Sequence, residues 1–336
     1  MTSSAQILQG DALNVLRTVP AESVNCVVTS PPYWNLRDYG VSGQLGLEQT
    51  PELYINAMVE VFQEVRRVLR SDGTLWLNMG DSYSYGTHDK RSFRRDRAEV
   101  NVIRKPLVNL KSKNLLGIPW HLAFALQSDG WYLRQDIIWN KSNPRPESVR
   151  DRCTKAHEYL FLFSKNKKYY WNFQAMQEPS VTNDKGLDRY PTSWDSTSGS
   201  HREKIGRYPK RGPGNWKVKP VGMPGENMNR GCPSTAVANG RITRNRRSVW
   251  TIPTKGYKGA HFATFPPALV QPCILAGCPP GGITLDPFCG TATVGEVALR
   301  YGRRFIGIDL DPNSIILAHQ RLEPFLIQPD FLVEAQ

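Results

Sequence analysis

Two short stretches bring together residue types that could do chemistry. Near the start, the apolar run Val24-Asn25-Cys26-Val27-Val28 closes on Thr29-Ser30-Pro31-Pro32-Tyr33-Trp34. Near the end, Ile283-Thr284-Leu285 opens into Asp286-Pro287-Phe288-Cys289-Gly290-Thr291-Ala292-Thr293. The first reads as a rigid polar pocket for an exocyclic amino group. The second reads as a strand-loop-helix turn for a nucleoside cofactor.

An aromatic amine is a poor nucleophile because its lone pair is delocalised into the ring. Two acceptors aimed at its N–H groups favour a pyramidal nitrogen with the lone pair free to attack. Ser30 Oγ is one candidate acceptor and the Pro31 carbonyl the other. Pro31 and Pro32 fix φ near about −65° and remove two N–H donors that would compete for these acceptors. Tyr33 offers a ring face to an extruded base, a stacking contact worth roughly 1–3 kcal/mol. Such a transfer needs alignment and exclusion of water rather than a covalent intermediate. Consistently, no G-x-S-x-G elbow surrounds Ser30, and Pro272-Cys273 lacks the following Gln of a ring-carbon nucleophile. Alone, Ser-Pro-Pro-Tyr equally fits a proline turn or a ligand for a proline-binding module. Its place after a buried strand, with a cofactor loop in the same chain, favours chemistry.

In the cofactor stretch, Gly290 permits close backbone approach where a helix begins and N–H groups are free. The G-x-G-x-x-G pattern is absent, so no pyrophosphate cradle is specified. Asp309 ends the next predicted strand, 19 positions after Gly290, where a carboxylate can accept from both ribose hydroxyls. The plainer alternative is a helix cap at Asp311-Pro312 with Asp309 merely nearby. Asp286 suits a cationic amino-acid moiety through charge-assisted hydrogen bonds; otherwise it is a helix-start carboxylate favoured by the dipole.

The elements that must position these groups follow from periodicity and turn residues. Strands are expected at 5–9, 24–29, 74–78 (after a turn at Asp72-Gly73) and 133–139, with a hairpin from 158–164 and 169–171. Helices are expected at 51–69, 118–127 and 267–277, and two strand-helix units at 283–302 and 304–323. Alternation at this spacing implies an α/β, doubly wound, mainly parallel sheet. Ligands of such sheets sit beyond the carboxyl ends of strands, where Asp11, Ser30, Asp81, Asp286 and Asp309 all fall. Asp81 equally fits a base or DNA contact and a turn cap.

The chain has 336 residues and a net charge of +13. Residues 87–114 hold 9 Lys/Arg against 3 Asp/Glu, and residues 172–250 hold 14 against 6, leaving the remainder roughly neutral. Charge concentrated in two loop-like regions points to a polyanion, nucleic acid. From about 175 to 247, Tyr190, Trp194, Tyr208 and Trp216 are interspersed with cations and glycines. That texture fits a loop-rich DNA-reading segment, or disorder. The six cysteines form no C-x-x-C pair and no zinc spacing, and no metal is expected. No signal peptide or bilayer-length apolar run is visible, so a cytoplasmic location with reduced thiols is expected.

These motifs together resemble the β-class S-adenosylmethionine-dependent DNA amino-methyltransferases, over nearly the whole chain except the basic loop 84–114 and residues 175–247. Ser30-Pro31-Pro32-Tyr33 resembles the family's catalytic motif, and His261-Phe262-Ala263-Thr264-Phe265-Pro266 the segment before the cofactor loop. Asp286-Pro287-Phe288-Cys289-Gly290 is similar to that loop, and Gly302 to Asp309 to the ribose-binding strand. The resemblance implies a circularly permuted methyltransferase fold, with residues 1–174 as catalytic half, 175–247 as target-recognition region and 248–336 as cofactor half. It implies that Asp286 and the loop residues Cys289, Gly290, Thr291 and Thr293 hold the methionine part of S-adenosylmethionine, with Phe265 nearby. Asp309 would hold the ribose, and Asp11 and Phe288 would flank the adenine.

Ser at the first motif position looks like the cytosine-N4 branch, with adenine-N6, RNA or protein amides and an inactive nucleic-acid binder as alternatives. The implied partners are double-stranded DNA of specific sequence and a separately acting restriction endonuclease. Trp34, Arg37, Asp81, Arg244 and Arg246 are candidate DNA contacts. One departure stands out: the family commonly has Gly-Ser-Gly-Thr where this chain has Gly290-Thr291-Ala292-Thr293. Ala292 is expected to take an ordinary backbone conformation or to loosen the fit.

Overall fold

The computed structural model describes residues 4–84, 111–179, 235–238, 241–254 and 265–326. Most of the basic loop and of the recognition region, and His261 to Thr264, lie outside the described residues. The chain divides into a larger unit, residues 1–176 with 247–336, and a smaller one, residues 177–246.

The larger unit is built on an eight-stranded sheet. Its strands are β1 (Ala5–Gln9), β2 (Val24–Thr29), β3 (Leu69–Met79), β4 (Tyr132–Asn140), β5 (His157–Ser164), β9 (Val249–Thr251), β10 (Ile283–Asp286) and β11 (Arg304–Asp309). The order is β1-β11-β10-β2-β3-β5-β4-β9. The first five are mutually parallel; β5 runs antiparallel to both β3 and β4. The sheet is thus mixed and mostly parallel, and the C-terminal strands β11 and β10 lie between the N-terminal strands β1 and β2.

Helices cover both faces because the strands bury both. In β2, β3 and β5 successive side chains divide between two cores: Val27, Leu75, Leu77, Phe161 and Phe163 on one face, Val28, Trp76, Leu160 and Leu162 on the other. The first face is covered by α1 (Ala12–Thr18), α2 (Pro51–Val68) and α3 (Ile118–Ser128); the second by α4 (Pro267–Gly277), α5 (Thr293–Arg300) and α6 (Pro312–Leu326). The sequence dictates α2 plainly. Thr50 caps it by accepting from Leu53 N, Pro51 occupies its first turn, and Tyr54, Met58, Val61, Phe62, Val65 and Val68 form its buried stripe.

Two expectations are corrected. The expected turn at Asp72-Gly73 lies inside β3, where the register against β2 slips between Val24 and Cys26; a bulge absorbs the extra residues. Tyr169–Trp171 forms no hairpin with β5, whose edges are already taken by β3 and β4; instead Trp171 stacks on Trp76, with centroids 6.0 Å apart.

The smaller unit contains the antiparallel sheet β6-β8-β7, from β6 (Gln177–Pro179), β7 (Thr235–Ala238) and β8 (Arg241–Asn245).

Candidate active site

Parallel pairing of β2 with β10, Cys26 to Thr284 and Val27 to Leu285, sets the two motifs side by side. Thr29 Oγ1 then donates to Asp286 Oδ1 at 2.7 Å, across 257 positions of sequence. Beyond these strand ends opens one cleft, partly continuous with solvent. Asp11, Ser30, Pro32, Phe265, Asp286, Phe288, Cys289, Gly290, Thr293 and Asp309 all line it.

On the side of β10 and β11, backbone groups hold the carboxylates. Asp286 accepts from Phe288 N at 3.1 Å, and Asp309 from Gly290 N at 2.8 Å and Asp311 N at 2.9 Å. Asp11 caps α1 through Asn14 N. Asp286 is 1 % exposed, and among the described residues no cation pairs with it. Burial pushes its pKa up to about 7, with the Thr29 and Phe288 hydrogen bonds pulling the other way and Asp309 adding to the rise. A buried carboxylate held by two neutral donors fits a cationic group, as S-adenosylmethionine carries. Burial, with the Asp286 and Asp309 charges, raises the Cys289 thiol well above its usual range, so it stays protonated.

Ala292 keeps a left-handed backbone, φ 57° and ψ 43°, at the start of α5, correcting the expectation of ordinary geometry. The loop imposes the turn although the residue carries a Cβ, a conformation costing on the order of 1 kcal/mol.

On the side of β2 and β3, Ser30 belongs to a network. Its hydroxyl donates to Tyr33 Oη at 3.4 Å, and Tyr33 donates to Glu158 Oε2 at 2.8 Å. Asn78 Nδ2 lies 3.3 Å from Ser30 Oγ, 3.0 Å from Tyr33 Oη and 3.0 Å from Glu158 Oε2. Lys141 completes the set by an ion pair with Glu158 Oε1. Burial would raise the Glu158 pKa, but Lys141, Asn78 and Tyr33 outweigh it and hold the carboxyl below its ordinary range. Burial and the Glu158 charge push the Tyr33 phenol well up, so it remains a donor. Gly80 makes room: a Cβ there would lie 2.8 Å from the Tyr33 ring. The Pro32 carbonyl accepts from Tyr54 Oη at 2.8 Å, while among the described residues no donor reaches that of Pro31.

A family model described as DNA methylase matches residues 24–320. The chain belongs to that family. With membership comes its methyl donor, S-adenosylmethionine. The methylase is 44% identical to the type II methyltransferase M.XycI of Xanthomonas campestris pv. cyanopsidis, over 94% of this chain and 87% of the relative. It is 42% identical to M.Cfr9I of Citrobacter freundii, over 96% and 88%. Among solved structures, the cytosine-N4-specific PvuII DNA methyltransferase matches with a TM-score of 0.60 at 17% identity, covering 99% of this chain and 89% of that one. A Thermus thermophilus protein complexed with S-adenosyl-L-methionine matches at 0.53 and 21%, covering 96% of each. Both structural likenesses are of fold.

Two expected contacts fall elsewhere in the methylase. Trp34 is 2 % exposed, in the core of the first face, and its indole donates to the Glu48 carbonyl; a buried ring cannot meet DNA. Thr291 is fully buried and its hydroxyl accepts from Arg321, which removes its side chain from the cleft. Asp81 accepts from Gly117 N and Ile118 N at the start of α3 and also lines the cleft that Tyr33 faces. Arg244 pairs with Glu178 in the smaller unit, which also contains Arg246. Arg37 is half-buried beside the cleft residue Tyr39, and Tyr33 faces an adjoining cleft with Lys141 and Glu158.

Thr29, Asn78, Lys141 and Glu158 escaped the sequence reading. The available signal was polarity inside apolar strands: Asn78 ends the run Leu75-Trp76-Leu77, and Glu158 opens Tyr159-Leu160-Phe161. A buried polar residue needs a partner; which partner is not written locally. No described helix is long and apolar enough to cross a membrane.

Proposed function

We propose that this DNA methylase transfers a methyl group to N4 of a cytosine extruded from duplex DNA, at a specific sequence, as the modification partner of a separate type II restriction endonuclease. The observation that carries the proposal is the shared cleft, with Ser30 on one wall and Asp286 on the other. The similarity to the type II methyltransferases M.XycI and M.Cfr9I supports the type II setting. The serine at the first motif position favours cytosine-N4 over adenine-N6.

Bound S-adenosylmethionine supplies an electrophilic sulfonium methyl. Ser30 Oγ and the Pro31 carbonyl accept from the two amine hydrogens and direct the nitrogen lone pair toward that methyl. Tyr33 stacks against the base and Pro32 stiffens the turn. Asp286 would hold the ammonium of the methionine part and Asp309 the ribose hydroxyls. Phe288 and Asp11 would flank the adenine, Phe265 would border the methionine end, and Cys289, Gly290 and Thr293 would close the loop around it. Residues 175–247, with Arg244, Arg246 and Arg37, read the DNA and neutralise phosphates.

The deciding experiment incubates the purified chain with plasmid DNA and the donor, then identifies the modified nucleoside by mass spectrometry. N4-methylcytosine is the expected product. N6-methyladenine overturns the choice of base, and no methylated base overturns the assignment. Transplanting residues 175–247 into a relative should carry sequence preference with them; preference that stays behind places recognition elsewhere.

A further inference from the structure

The network behind Ser30 has a direction. An ionised carboxylate only accepts, so both the Tyr33 hydroxyl and an Asn78 N–H must point at Glu158 Oε2. Having given its one hydrogen, Tyr33 Oη can only accept, from the second Asn78 N–H and from the Ser30 hydroxyl. Ser30 therefore gives its hydrogen to Tyr33, and with Asn78 Nδ2 also 3.3 Å from Ser30 Oγ, a lone pair of that oxygen is left for the cleft. The orientation of Asn78 supports this: its Oδ1 is buried without a partner, a deficit of about 1–3 kcal/mol. Turning the amide over would set that oxygen against the Glu158 carboxylate, which is worse.

We infer that Glu158, locked by Lys141, is a positioning residue that fixes the hydrogen-bond polarity through Tyr33 and Asn78 and so presents Ser30 Oγ as an acceptor to the substrate amine. This rests on the amino-methyl transfer proposed above. Without the carboxylate, Ser30 is free to aim a hydrogen at the amine, and a donor facing a donor repels the substrate where it should hold it.

The geometry predicts a specific rescue. In Glu158→Gln, the Lys141 ammonium draws the carboxamide oxygen to itself and leaves the NH₂ facing Tyr33. The phenol must then donate toward Ser30, and the polarity inverts. Replacing Lys141 by Met as well releases the carboxamide, whose oxygen can return to Tyr33 and Asn78. Tyr33→Phe keeps a ring but breaks the relay.

The test measures kcat, KM for DNA, cofactor Kd and melting temperature on the full chain and these three variants. Glu158→Gln and Tyr33→Phe should each lower kcat at least about 30-fold with cofactor Kd within about twofold, and Lys141→Met/Glu158→Gln should recover about tenfold of the loss. Wild-type kcat in Tyr33→Phe overturns the inference, and so does a double variant no faster than Glu158→Gln. Should Glu158→Gln fail to fold, Tyr33→Phe decides alone. An inactive wild-type chain would overturn the methyl-transfer assignment instead, which keeps the two failures apart.

Discussion

On the cofactor wall of the cleft, backbone N–H groups reach every carboxylate: Phe288 N on Asp286, which also accepts from the Thr29 hydroxyl of β2, Gly290 N and Asp311 N on Asp309, and Asn14 N on Asp11. On the amine wall, Ser30 is held by side chains from other strands: Asn78 of β3 and, through Tyr33, Glu158 of β5. Backbone donors stay where the loop puts them and tolerate many sequences. Side-chain relays have a polarity that one substitution can reverse. The contrast teaches that the two walls should fail differently: the first by losing affinity, the second by losing turnover while affinity persists.

The largest expected effect tests that separation directly. Ser30→Ala should lower kcat by about 10²–10³-fold, as for loss of a group aligned on the reacting centre, with cofactor Kd unchanged. Calorimetry beside single-turnover rates checks it, and a matching loss in affinity would erase the contrast. Asp286→Asn should do the opposite, weakening cofactor binding by about 10–100-fold, as for a lost charge-assisted hydrogen bond.

The pH dependence sharpens the same point. Asp286 has a folded pKa of about 7 without ligand, above the ordinary carboxylate value of about 4. The folded ligand-free protein therefore binds this proton more tightly than the unfolded chain, and Asp286 makes it less stable as pH rises from about 4 to 7. A cationic ligand needs the ionised form, so affinity should fall about tenfold per pH unit below 7. Asp286→Asn should abolish that slope and raise the melting temperature at pH 8. A flat affinity profile in the wild type would show that no cation pairs with Asp286.

The smallest effect concerns the cofactor loop. Ala292→Gly relieves a left-handed alanine but removes a fully buried methyl, so stability should change by less than about 1 kcal/mol. Ala292→Val should be clearly destabilising, because a β-branched residue resists that backbone. Thermal melts of both variants check the loop geometry.

Legibility in the sequence followed the same division. The helix α4 and the strand-helix units of β10 with α5 and β11 with α6 were readable because their turns, caps and apolar spacing are local. So was the shared strand-end position of Asp11, Ser30, Asp286 and Asp309, since parallel strands place their carboxyl ends along one edge. The Asp72-Gly73 turn and the Tyr169–Trp171 strand were misread because β3's register and β5's partners depend on pairing between distant segments. Trp34 looked like a surface loop residue only until Glu48, 14 positions on, folded back over it.

By itself, the sequence determined the alternation of strands and helices, the residues of the serine–proline turn and the acidic cofactor loop, and a charge distribution suited to a polyanion. Spacing and side-chain chemistry act over a few residues, and that range suffices for such features. The tertiary structure decided that Thr29 meets Asp286, that Glu158 and Lys141 stand behind Ser30, and that Asp81 meets the start of α3. Those contacts join residues dozens to hundreds of positions apart, and only the packing of the sheet chooses which buried polar group answers which.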